Sequence, residues 1–189
     1  ACLAAIALCI VAAVTLLQPN TNPKNIEIPG TRGNIPATIQ LPAKSARGEE
    51  LPLVVLCHGF TGNRQGDGHF APLAEDLAAH GIATVRLDFA GCGDSTEDFS
   101  DNCPFFIDWD VIAARDYVLA NAPVDQQRLG LLGYGFGARM AMEAGALKDS
   151  PYTAMSLISP MVGGYEDTLH LLFGAEYDRM LSEAFSEAR

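Results

Sequence analysis

Four short apolar runs, at residues 51–57, 82–87, 128–133 and 153–159, are separated by three stretches whose apolar residues recur at helical spacing. An unbroken apolar run suits a strand covered on both faces, and parallel strands need a crossover connection of the kind a helix supplies. The alternation therefore predicts an α/β fold with a doubly wound, mostly parallel sheet. In the first helical stretch Phe70, Leu73, Ala74 and Leu77 share a face, and Gly81 stands where a helix stop is expected. The second covers residues 107–120, with Val111, Ile112, Val118 and Leu119 on one side, and the third covers 136–147. Two strand-like pieces precede the alternation, at 25–28 and 35–41, with Pro29, Gly30 and Gly33 between them. They predict an antiparallel hairpin at a sheet edge.

A chain of 189 residues has room for one domain with a substantial core. Twelve Lys plus Arg against 23 Asp plus Glu leave a net charge of −11, which repels nucleic acid and anionic membrane surfaces. The cysteines, Cys2, Cys9, Cys57, Cys92 and Cys103, form no C-x-x-C pair and no Cys/His spacing suited to zinc, so no metal site is expected. Cys57 reads as a small core hydrophobe. Cys92 and Cys103 flank a loop and could pair in an oxidising compartment, although spacing does not establish the geometry.

Residues 1–17 are apolar except for Thr15, long enough for a signal-peptide core and short for a spanning helix of about 20 residues. They predict an exported or membrane-anchored chain, with a buried first helix as the alternative. No A-x-A-like cleavage site stands out near Leu17, which leans toward an uncleaved tether. The polar, proline-bearing run 18–24 reads as a linker, and the folded domain is expected over 25–189.

In a doubly wound sheet, sites gather at the carboxyl ends of the strands. There the sequence places His58-Gly59-Phe60, then Asp88-Phe89-Ala90-Gly91-Cys92-Gly93-Asp94-Ser95, then Gly133-Tyr134-Gly135-Phe136-Gly137. In this order, from about Asn25 to Pro160, these loops resemble the α/β-hydrolase family, and within it bacterial esterases and acyl hydrolases similar to feruloyl or cinnamoyl esterases. The resemblance implies an α/β-hydrolase fold that stops before its last strands, a small ester or acyl ligand as partner, and no cofactor. A sheet lacking those strands would expose an unpaired edge and make the isolated chain poorly soluble.

The family's nucleophile elbow reads G-x-S-x-G, a sharp strand-to-helix turn that lifts a serine hydroxyl clear of the sheet. Here the flanking Gly133 and Gly137 are present and the central position is Gly135. Glycine meets the backbone demand of the bend but offers no oxygen for a histidine to activate. The aspartate and cysteine used by some relatives are absent as well. By the same resemblance the N–H groups of Phe60 and Phe136 would form an oxyanion hole, and an acid and a histidine would follow later in the chain. His58-Gly59 belongs to the motif, with a strand-ending turn holding a satisfied histidine as the alternative.

Residues 165–189 carry Leu169, Leu172, Phe173, Tyr177, Met180, Leu181 and Phe185 at helical spacing, either the start of a cap or an amphipathic terminal helix. His170 lies on the wrong segment for a catalytic base, and His69 and His80 read as surface residues. Ser95 and Ser159 read as turn residues, and Asp88 and Asp94 as holders of their loop through local hydrogen bonds. Three functional readings remain open: an ester hydrolase by lineage, inactive through Gly135; a pseudoenzyme that binds an acyl or aromatic ligand; and a structural, membrane-tethered domain.

Overall fold

The computed structural model describes residues 23–30, 32–43, 50–99, 102, 104–164, 167, 170, 174–176 and 179. The apolar segment 1–17, most of the linker 18–24, Cys2, Cys9, Cys103 and most of 165–189 lie outside the described residues. Among the described residues the elements follow in the order β1 (Lys24–Pro29), β2 (Asn34–Gln40), β3 (Leu51–Cys57), α1 (Phe70–Ala79), β4 (Ala83–Leu87), α2 (Pro104–Asn121), β5 (Val124–Tyr134), α3 (Phe136–Ala146) and β6 (Tyr152–Ile158). β1 opens at Lys24, inside the stretch read as linker. Cross-strand pairing of Lys24 with Ile39 draws this polar residue into the sheet.

The sheet order is β1-β2-β4-β3-β5-β6. β1 and β2 form the expected antiparallel hairpin at one edge, and β2 is also antiparallel to β4. β4, β3, β5 and β6 run parallel. Side chains alternate across the two faces, as the pleat requires. Leu53, Val55, Cys57, Leu129 and Leu131 pack with Val111, Ala114 and Val118 of α2 and Met140, Ala141 and Ala144 of α3. On the opposite face Leu56 and the half-buried Leu132 pack with Phe70, Leu73 and Ala74 of α1.

This arrangement locates the site before any motif is considered. From β3 the chain crosses through α1 to β4 on one side, then returns through α2 to β5 on the other side of β3. The winding direction reverses between β3 and β5, whose following helices lie on opposite faces. A crevice must open where the two connections part, at the carboxyl ends of these strands. The register Cys57↔Gly133 brings those ends level.

β5 begins earlier than its sequence pattern suggests, because Val124 pairs with Leu51 before a register shift that precedes Leu53↔Leu129. β6 departs from the pattern of a covered strand. Most of its residues are exposed, and among the described residues its outer edge has no partner strand. Among the described residues no helix is long and apolar enough to cross a membrane.

Candidate functional site

Gly135 stands at the tip of the turn between β5 and α3, with φ 57° and ψ −117°. Its N–H donates to the Ile158 carbonyl at 2.9 Å, and its carbonyl accepts from the Arg139 and Met161 N–H groups at 3.3 and 3.4 Å. The bend is thus tied to α3 behind it and to the end of β6 beside it. The three glycines of the turn are present for different reasons. A Cβ at Gly133 would lie 2.4 Å from the Ala138 Cα, and one at Gly137 would lie 2.2 Å from the carbonyl oxygens of Cys57 and His58. Both flanking positions therefore let helix and strands approach within backbone contact. A Cβ at Gly135 would meet only the Gly59 Cα, at 3.9 Å. The tip demands a positive φ and leaves a side chain's volume empty.

Loops from both central strands converge on this point. The ring of Phe60, half-buried, sits edge-to-face with that of Phe136, their centroids 5.7 Å apart at 79°. Phe136 opens α3, so its N–H belongs to the first turn, where no intrahelical acceptor exists and the helix dipole favours negative charge. The side chains of Phe60 and Phe136 are thus neighbours at the turn that carries Gly135. Non-glycine residues with positive φ gather here too: Thr61, Asp67 and Ser159, at φ 56°, 54° and 48°, lie on the loops after β3 and β6. Backbone strain of this kind concentrates at functional sites.

His58 plays the part of the satisfied histidine. It is buried, its Nδ1 lies 2.7 Å from the Gly59 carbonyl, and its Nε2 accepts the Phe89 N–H at 3.1 Å. This fixes a neutral ring with the proton on Nδ1. Burial pulls its pKa below the ordinary imidazole value, with the Gly59 hydrogen bond and the charges of Asp88 and Asp67 opposing. Both nitrogens are engaged, Nδ1 within the β3 loop and Nε2 across to the β4 loop, so His58 is a structural pin. Cys57 does not serve as a nucleophile either, since complete burial pushes its thiol up to about 12. Cys92 is buried and raised by burial and by Asp88.

The β4 loop is held as expected, with one partner that sequence reasoning missed. Asp88, fully buried, accepts the Arg64 N–H at 2.6 Å, the Asp94 N–H at 2.9 Å and a short contact from the Arg64 guanidinium. Arg64 also reaches Asp94 at 2.6 Å and the Thr38 hydroxyl at 3.3 Å. The loop that carries Phe60 is thereby tied to β2 and to the loop after β4. Residues separated by 24 positions give no periodic signal, which is why Arg64 does not stand out in the sequence. Ser95 accepts the Glu97 N–H at 3.3 Å, as a turn residue does.

A cavity of about 340 Å³ opens beside the tip, lined by Gly66, Asp67, His69, Phe70, Tyr134 and Ile158. Tyr134 precedes Gly135 and is 45% exposed. His69 is exposed, as expected, yet it lines this cavity. A larger hollow of about 450 Å³, bounded by Glu50, Leu119, Val124 and Asp125, lies at the opposite end of the strands. It is remote from every loop described above. His80 is bonded to the Asp76 carbonyl at the end of α1, and His170 is exposed on its own segment.

Comparison with known proteins supports the same assignment. Residues 52–183 match the family described as the alpha/beta hydrolase fold. Esterase FrsA of Yersinia enterocolitica is 28% identical over 138 residues, 72% of this chain and 30% of that protein. The structure of Est1E from Butyrivibrio proteoclasticus with bound ferulic acid superposes with a TM-score of 0.64 at 27% identity, covering 71% of this chain and 52% of that one. A hypothetical protein of Pseudomonas aeruginosa reaches a TM-score of 0.68 at 20% identity, covering 88% and 52%. The matched regions span 32% and 30% of the curated relatives, about a third of their length. With its reversal of winding at β3 and β5 and its glycine-flanked turn at 135, this chain belongs to the α/β hydrolase family.

Proposed function

We propose that this chain carries the catalytic edge of a carboxylic ester or acyl hydrolase in which Gly135 holds the nucleophile position, so that serine-type acyl transfer does not occur. The observation that carries the reading is the contrast within the turn: Gly133 and Gly137 have no room for a Cβ, whereas Gly135 has room and a nucleophile's backbone conformation. The N–H groups of Phe60 and Phe136 are the oxyanion donors of this reading. Backbone donors survive a change of side chain, and in serine hydrolases such groups and binding alone leave a residual rate of about 10³–10⁴ over water. FrsA by name is an esterase, and the Est1E structure holds ferulic acid, which favours ester or acyl compounds here. The apolar segment 1–17 would tether or export the chain.

Restoring the hydroxyl tests the proposal. The full-length protein with Gly135→Ser should hydrolyse p-nitrophenyl esters well above the unmodified protein. No gain in a folded variant would count against the ester-hydrolase reading. A second reading, ligand binding without turnover, is favoured by the cavity beside Tyr134. It predicts saturable heat when the unmodified protein is titrated with ester-product acids, and flat titrations across a broad panel would remove it.

A further inference from the structure

The cavity beside the turn, about 340 Å³, joins two aromatic side chains to one carboxylate. Phe70 is buried at its base, and Tyr134, 45% exposed, stands at its mouth. Both rings are seated against glycines. A Cβ at Gly66, where φ is 54°, would come within 2.5 Å of the Phe70 Cγ, and one at Gly59 within 3.0 Å of the Tyr134 Cδ1. Asp67 follows Gly66, also at φ 54°, and is exposed at the rim.

The surroundings suit a positive charge. None of the residues lining the cavity is a lysine or an arginine, and among the described residues no ion pair engages Asp67. The start of α1 borders the cavity but has little to offer an anion. The His69 and Phe70 N–H groups donate to the Gly66 and Gln65 carbonyls at 2.9 and 3.0 Å, and Pro72 has no N–H. The net charge of −11 draws cations at long range as well.

From this geometry we infer that the cavity is a binding site for an organic ammonium group, most simply a trimethylammonium. Its methyl surface matches the apolar lining, its charge faces Asp67, and aromatic rings attract a cation through their quadrupole. A neutral group of the same shape gains the apolar contact alone. The cavity complements the turn beside it, whose proposed donors, the N–H groups of Phe60 and Phe136, attract negative charge. Its chemistry does not depend on what residue 135 does, so ammonium binding and the Gly135→Ser assay can fail separately.

The test is a ligand-observed NMR titration of the full-length protein with choline and its neutral isostere 3,3-dimethylbutan-1-ol, at about 0.15 M salt to screen the long-range field. Choline should bind at least about fivefold more tightly. Asp67→Asn keeps a residue tolerant of positive φ, and Tyr134→Leu keeps apolar area. Each should weaken choline roughly threefold and leave the neutral probe nearly unchanged. Asp149→Asn, which removes an exposed acid beyond the far end of α3, should alter neither affinity. Equal affinity for the two probes, or a choline preference that survives both cavity variants, would overturn the site. So would a loss in Asp149→Asn as large as in Asp67→Asn, or silence with both probes.

Discussion

At the scale of single residues, the turn at 133–137 separates glycines required by space from one required by conformation. Ala at Gly137 must displace the carbonyls that end β3, whereas Ala at Gly135 meets open space and carries only the strain of a positive φ, about 1–3 kcal/mol. Urea unfolding should therefore place Gly135→Ala within that range of the unmodified protein and Gly137→Ala clearly below it. Equal losses would mean that the tip is crowded after all. His58 adds a pH dependence. Its folded pKa lies below the unfolded value of about 6.5, so the unfolded chain binds the extra proton first as pH falls. Its contribution is full above about pH 6.5 and is lost as pH drops from there toward the folded pKa. Thermal melts between about pH 7.5 and pH 5.5 should show a steeper fall in Tm for the unmodified protein than for His58→Gln. Parallel falls would show that the buried imidazole is not the titrating group.

At the scale of elements, the turns and strands were legible because their signals are local. The G-x-G-x-G turn, the apolar run of β3 and the 3.6-residue periodicity of α1 each lie within about a dozen residues. What was hidden depends on contacts between loops. Arg64 and Asp88, and Phe60 and Phe99, become neighbours only after β3 and β4 pair. The start of β5 was hidden for a similar reason, since Asp125, Gln126 and Gln127 read as loop until pairing of Leu51 with Val124 extends the strand. The Arg64 tie should be energetically visible. With Asp88 fully buried, Arg64→Ala leaves a carboxylate with backbone donors but no countercharge, and unfolding should lose roughly 3–5 kcal/mol. A loss below about 1 kcal/mol would reduce the pair to an ordinary surface bridge.

At the scale of the molecule, reversal of winding at β3 and β5 sets the crevice, and the residues around it decide its chemistry. The sheet presents a turn of positive φ and the neighbouring rings of Phe60 and Phe136 at one edge, with the serine hydroxyl as the missing part of the proposed reading. Fluorophosphonate labelling with peptide mapping tests that account most directly, using the full-length protein before and after Gly135→Ser. The account predicts an unlabelled native protein and a variant labelled at residue 135. Labelling of the native protein at another side chain, Ser159 above all, or a folded variant that stays inert, would contradict it.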